Sequence, residues 1–457
     1  MNRKTGIALV LALIALAVSA CTGYWLLASS KKNSGIDEWK TWAEVAWRYY
    51  TPGVGVDPDT LLHRGNIFWH RFTDWDLGSY IQSLQDARRI GVLKQEAEFS
   101  VRINRILEFL ERRELSENGI PFWSYSSNNG QPNKDAGETT PADIGRLLIS
   151  LSNLKAYRPE LTQRIEGVVE KQGAQRLLAR KGLEGGFYGY FAAHGFKAFQ
   201  VDQDGKVARS LEEMTRLSKG KFVEIFGEQI PLAWITSEPI LHALLELPSQ
   251  DPLFQEYSRR IYRAQEKRFQ ASGKYTAFSE GAYFTHGNYI FEWIIRGDTG
   301  ATWTVTRIDG GKVQTLDIAP VIYAKAALGF HAVFPSEYTK KLVSWLLSRT
   351  DIMTGNGFVE GVSEANELVS DTTDKTNAMI ISAARYAIES RTGSGKLSPA
   401  HTVLKDSKHF LSVSIPGHVG AQISLASTYI VFAHIIRCKQ IFCGLSEICD
   451  HRFPDRA

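Results

Sequence analysis

Apolar residues recur at spacings of three and four along most of the chain from Asp37 to Arg437, the period of helices that bury one face. Ile144, Leu147, Leu148, Leu151 and Leu154 show the pattern clearly. It predicts helices over 37–50, 76–91, 96–115, 141–155, 159–180, 187–199, 238–247, 252–272, 318–330, 336–348, 375–390 and 422–437. Several starts carry capping signals. Asp76 and Asp143 fall in first turns, Ser237 precedes Glu238-Pro239, and Pro141, Pro159 and Pro252 suit first-turn positions. Gly91 and Gly329 mark stops. Ahead of the 318–330 helix the pattern changes: KYTAFSEGAYF, NYIFEWII and ATWTVTRIDG are short, aromatic and β-branched, and predict strands or long functional loops. About twelve helices in consecutive hairpins, with no solenoid consensus repeat, predict an all-α fold, an (α/α)6 toroid of six inner and six outer helices with the short strands and loops gathered at one end. An irregular α-solenoid is the competing architecture.

Composition narrows the functional classes. With 44% hydrophobic and 22% charged residues, the 457-residue chain is globular and long enough for a large core. Its 53 basic and 49 acidic residues are interspersed, so there is no basic footprint for nucleic acid. The N-terminus is organised differently. MNRK, an apolar run and Val18-Ser19-Ala20-Cys21 fit a lipoprotein signal with Cys21 as the lipidated residue. The run continues to Ala28, which equally suits an uncleaved membrane span. Either way, residues 1–34 predict a tether and linker that place the domain in the cell envelope, facing the periplasm. The toroid is expected over 35–437, followed by a 438–457 tail that holds Cys438, Cys443 and Cys449 without zinc-ligand spacing.

The candidate chemistry is carboxylic. FTDWDLGSYIQSL and TTPADIGRLLISL share an Asp, an aliphatic residue, Gly, four positions and Ser-Leu, so that Asp76 and Asp143 stand at matching helix starts. Capping alone accounts for an aspartate there; Trp75 beside Asp76 adds an aromatic next to an acid. Glu238 in WITSEPILHALLEL, Glu280 in TAFSEGAYF, and Glu360 and Glu364 in GNGFVEGVSE are glutamates among glycines and aromatics. Desolvation in such a loop raises a glutamate pKa toward the general-acid range. Asp76, Asp143, Glu238, Glu280 and Glu360 are therefore the catalytic candidates, and Trp75, Trp123, Trp234, Tyr283 and Trp293 are the candidates for stacking on sugar rings. Glycoside hydrolysis requires two such carboxylates facing a common cleft. Phosphate-binding, dinucleotide-binding and nucleophile-elbow motifs are missing, and the scattered histidines suggest neither a metal site nor a cofactor.

The pieces WDLGSYIQSLQDARRIGVL, PADIGRLLISL, YFAAHGFKAF, SEPILHALLEL, GKYTAFSEGAYF, YAKAALGFHAVFPSEYTKKL and TDKTNAMIISAARY, in this order from about 41 to 390, resemble a bacterial envelope family, domain-of-unknown-function family 3131. That family is similar to the six-hairpin glycosidases, which include glucoamylase-type and β-glucan-acting enzymes, and it often accompanies exopolysaccharide glycosyltransferases. The resemblance implies an enzyme of glycoside hydrolase type acting on a surface or periplasmic polysaccharide. The alternatives are a non-catalytic glycan-binding or assembly component of an exopolysaccharide machine, or a toroid that encloses a lipid pocket. Two departures bear on the choice: Ser279-Glu280-Gly281 stands where relatives tend to have Ser-Glu-Asp, and Gly189-Tyr190 where they tend to have paired glutamates.

Overall fold

The computed structural model describes residues 35–283 and 288–393, all within one compact unit. In chain order the α-helices are α1 (35–47), α2 (Asp74–Arg89), α3 (Glu96–Arg112), α4 (Pro141–Tyr157), α5 (Thr162–Lys171), α6 (Ala174–Lys181), α7 (Gly186–Ala198), α8 (Lys206–Leu211), α9 (Glu213–Ser218), α10 (Glu238–Glu246), α11 (Pro252–Ser272), α12 (Ala324–Val333), α13 (Glu337–Leu347) and α14 (Asp374–Thr392). Successive inner helices α2, α4, α7, α10, α12 and α14 touch, and α14 closes on α2, so the six form a ring. These helices are buried on almost every side. α3, α11 and α13 are amphipathic and cover the ring from outside. This is the expected (α/α)6 toroid.

The Asp-x-Gly repeat is part of what closes the ring. A Cβ on Gly78 would come within 3.0 Å of the Arg146 carbonyl oxygen, and one on Gly145 within 2.5 Å of Ala192. Glycine at these two positions lets α2 approach α4 and α4 approach α7. Ser150, the serine of the second copy, donates its hydroxyl to the Gly78 carbonyl at 2.7 Å. The repeat is thus a device for joining helices, and it carries its aspartate to the end of the ring.

The helix boundaries follow the hydrophobic pattern closely, with three differences. The expected 159–180 helix is broken at Gly173, which takes a left-handed conformation with φ 63° between α5 and α6. The expected helix over 318–330 begins only at Ala324, because Val321–Tyr323 forms a strand against Gly361–Ser363, and it runs on to Val333 through Gly329, which is no stop but packs against Leu241. The short helices α8 and α9 are additional. The expected 422–437 helix, the 1–34 tether with Cys21 and the 438–457 tail lie outside the described residues. Among the described residues no helix is long and apolar enough to cross a membrane.

The strands do occur where the aromatic, β-branched stretches fall. Glu280–Tyr283, Asn288–Ile295, Thr302–Asp309 and Lys312–Thr315 form an antiparallel meander, and Phe222–Ile225 pairs with Glu228–Pro231. The N-terminal ends of α2, α4, α7 and α14 meet this meander around one cleft.

Candidate active site

The cleft has a volume of about 1210 Å3, larger than the roughly 300–1,000 Å3 usual for a small-molecule pocket. Four of the five candidate carboxylates line it: Asp76, Asp143, Glu280 and Glu360. Each is held differently, and their protonation differs as a result.

Asp76 is the third residue of α2 and completes a capping box. The Thr73 N–H donates to its Oδ2 at 2.8 Å, and its own N–H donates to the Thr73 hydroxyl at 3.3 Å. Its other oxygen pairs with the Lys375 ammonium. Burial pushes its pKa up, but Lys375, together with His63 and the Thr73 N–H, outweighs burial and holds the carboxyl below its usual range. Asp143 occupies the matching place on α4, where its only hydrogen-bonding side-chain partner among the described residues is Thr140, whose hydroxyl donates to it at 2.9 Å. Burial pushes this carboxyl up to about 7, with the negative Asp74 and Asp76 adding to the effect and Thr140 opposing it. One sequence device therefore presents an ionised carboxylate and a proton-bearing one.

Glu280 comes from the meander. The Tyr289 hydroxyl donates to its Oε1 at 2.9 Å and the Tyr188 hydroxyl to its Oε2. Burial, helped by nearby Glu238, raises its pKa despite those donors. Both phenols are themselves pushed well above their ordinary range, chiefly by burial, and so keep their protons. Glu360 accepts from the hydroxyls of Thr373 and of Thr376, the latter at 2.9 Å, and burial pushes it up to about 7.

Glu238 is placed elsewhere. It opens α10, but it is fully buried and is not part of the cleft lining. It lies 2.7 Å from the Lys325 ammonium and 3.4 Å from His242, and accepts from the Ser279 hydroxyl at 2.9 Å. Burial alone would raise its pKa; Lys325 and His242 reverse that and hold it down to about 2. His242 continues to Glu246 at 2.7 Å, and Glu246 to Arg146 at 2.7 Å, a buried chain of alternating charge between α10 and α4. Glu364 is likewise outside the cleft, paired with Arg268 and Lys274.

Of the aromatic candidates, Trp75, Trp123, Trp234 and Trp293 line the cleft. Trp234 and Trp293 meet edge to face at 4.7 Å, and the Trp293 indole N–H donates to the Thr306 hydroxyl at 2.8 Å. Tyr283 does not line the cleft: it is buried, with its hydroxyl 3.3 Å from Glu367, because its position on the strand sends it to the opposite face from Ala282. Lys375, Tyr188, Tyr289, Glu184 and Trp69 also line the site and are not among the residues that the sequence pattern singles out. Glu184 alone had a visible signal, its place beside Gly185-Gly186. Desolvation raises its carboxyl although the residue as a whole is exposed.

The two departures from the family pattern have a steric account. A Cβ on Gly281 would lie 2.6 Å from the Glu360 carboxylate, and one on Gly189 would lie 1.7 Å from the Glu184 carbonyl oxygen. In this chain Glu360 and the Glu184 backbone fill the space that larger residues at 281 and 189 would need. Among the described residues no group of three or more His, Cys, Asp or Glu is arranged to hold a metal ion.

Solved structures share this architecture. An endo-β-1,2-glucanase from Chitinophaga pinensis, in complex with sophorotriose and glucose, superposes with a TM-score of 0.57 at 14% identity, over 81% of this chain and 97% of that one. A candidate glucoamylase from Bacteroides caccae gives 0.57 at 12% identity, over 81% and 98%. An endo-β-1,2-glucanase from Talaromyces funiculosus, in complex with sophorose, gives 0.55 at 10% identity, over 82% and 91%. At these identities the likeness is one of fold. A search of curated proteins finds no match. The model of a protein family of unknown function, DUF3131, matches residues 41–390, most of the chain, and the protein belongs to that family.

Proposed function

We propose that the protein hydrolyses glycosidic bonds in an envelope polysaccharide, with Asp143 as the proton donor and Glu280 as the carboxylate that activates water or attacks the sugar. The observation that carries this reading is the unequal treatment of carboxylates in one large cleft. Asp143, with a pKa of about 7 and a single threonine partner, keeps a proton to give to a leaving oxygen near neutral pH. Glu280 is oriented by two phenols that keep their protons and donate to both of its oxygens, an arrangement that suits a carboxylate facing the sugar. Asp76 is committed to Lys375 and the capping box, which suits it to positioning. Glu238 serves as a buried counter-ion to Lys325, with no catalytic part. The fold neighbours, whose names include β-1,2-glucanases, support the substrate class.

Residues 1–34 would hold the enzyme at the membrane, by acylation of Cys21 or by an apolar span. Incorporation of labelled fatty acid, abolished by Cys21→Ser, selects acylation. One feature favours the second reading, a glycan-binding component of an exopolysaccharide assembly: both oxygens of Glu280 and both of Glu360 are occupied by protein hydroxyls. The deciding experiment incubates the purified protein with β-1,2-, β-1,3- and β-1,4-glucans and other neutral polysaccharides and measures new reducing ends. Release from at least one supports hydrolysis; binding without release supports the glycan-binding reading.

A further inference from the structure

At the cleft edge nearest α2, Trp69 and Trp123 bring their rings together at 5.8 Å, tilted by 47°. Both line the cleft; Trp123 is 38% exposed and Trp69 half-buried, an unusual allowance of indole surface to water. Among the described residues neither indole N–H has an acceptor. The pair adjoins the carboxylates directly: a methyl group placed on Gly65 would lie 3.0 Å from the Asp76 carboxylate and 3.0 Å from the Trp69 ring. Gly65 thus leaves room between Asp76 and Trp69, and these two residues and Trp123 all line the one cleft. Trp234 and Trp293, which also line the cleft, form a separate pair in which Trp293 is buried.

Charge restricts what can lie on this surface. The cleft is lined by Asp76, Asp143, Glu184, Glu213, Glu280 and Glu360 against Lys375 and Arg216 alone. Both cations are already paired, Lys375 with Asp76 and Arg216 with Glu213 at 2.6 Å. Acidic side chains outnumber basic ones in the lining and each lining cation already has a carboxylate partner, so a uronate, sulfate or phosphate meets no unpaired countercharge there. A neutral pyranose has what the surface offers partners for: a C–H face to stack on indole and a hydroxyl rim to accept indole N–H donors.

We infer that Trp69 and Trp123 form an outlying subsite for a neutral glycan chain, so that the protein binds several consecutive uncharged sugar units across the carboxylates and selects polymer over disaccharide. This rests on the carbohydrate reading above and adds to it the charge and the minimum length of the ligand.

The test measures binding by calorimetry in a Glu280→Gln background, so that hydrolysis does not intervene. The probes are β-1,2-, β-1,3- and β-1,4-linked gluco-oligosaccharides of increasing length, and oligogalacturonides of matched length. Affinity is expected to rise with length for at least one neutral series and to be negligible for oligogalacturonides. Trp123→Ala should weaken binding of the longest members about tenfold, equivalent to about 1.4 kcal/mol, and leave the disaccharide unchanged, while Trp123→Tyr recovers most of the loss. Phe226→Ala, which removes an exposed ring that does not line the cleft, controls for general surface effects. The inference is overturned by equal loss at every length, by an unchanged length dependence in Trp123→Ala, by oligogalacturonides that bind as well as glucans, or by a protein that binds none of the neutral series. Neutral chains bound with the predicted length dependence but never cleaved by the unmutated protein would uphold it and reject hydrolysis alone.

Discussion

Replacing Asp143 by Asn should stabilise the protein while disabling it. Folding moves this carboxyl from 3.8 to about 7. Below the lower value both folded and unfolded chains hold the proton, and the group adds no pH dependence. Between the two values the folded chain binds more protons than the unfolded one, so stability falls as pH rises, and above 7 the penalty is constant. About three units at ~1.36 kcal/mol each set a ceiling of about 4 kcal/mol. Asp143 is partly open to the cleft, and solvent screening brings the figure nearer about 2 kcal/mol. Asparagine keeps an oxygen to accept from Thr140 and has no charge to desolvate. With an unfolding entropy of ~2.1 cal/mol/K per residue over about 360 residues, the variant should melt about 3 °C higher at pH 8 and at the wild-type temperature near pH 4. Scanning calorimetry from pH 4 to 9 reads this directly. A difference that is flat across pH, or a variant less stable at pH 8, refutes the argument that Asp143 is held protonated by burial.

Glu238→Gln should act in the opposite sense: moving the carboxyl from 4.5 to about 2 contributes about 3 kcal/mol above pH 4.5 that is lost as pH falls through 2, so a melting-temperature deficit of about 4 °C at neutral pH should shrink by pH 3. Lys375→Met leaves Asp76 buried without its cation and should cost roughly 3–5 kcal/mol; the Lys375→Met/Asp76→Asn double variant should regain much of that, and denaturant titrations that show simple additivity would argue against the pair. Gly145→Ala forces a methyl against Ala192 and should cost about 1–3 kcal/mol, whereas Gly167→Ala, with open space around it, should not destabilise.

The ring was legible because its helices announce themselves by period and caps. Thr73 and Thr140 cap α2 and α4 where the aspartates suggested helix starts. What period does not encode went unread: Val321–Tyr323 is as apolar as the helix after it, and only its partner strand Gly361–Ser363 makes it extended. α8 and α9, six residues each, are too short to display a repeat. Among the site residues, a carboxylate at a helix start reads the same in sequence whether its helix end borders the cleft, as for Asp143, or lies beneath other residues, as for Glu238. Lys325, far along the chain, decides the environment of Glu238, and Lys375 that of Asp76. The tyrosines on Glu280 went unread for the same reason, since only folding brings Tyr188 to Glu280.

On the proposed mechanism Asp143 and Glu280 together cleave a glycosidic bond. The most direct test is the turnover of Asp143→Asn and Glu280→Gln on a polysaccharide that the wild type cleaves, with binding measured in parallel. Each variant should lose roughly 100-fold or more in turnover while still binding the chain, and Asp143→Asn should lose far less on an aryl glycoside whose leaving group needs no proton. Folded variants that bind and turn over the polysaccharide within a few-fold of wild type would contradict the claim.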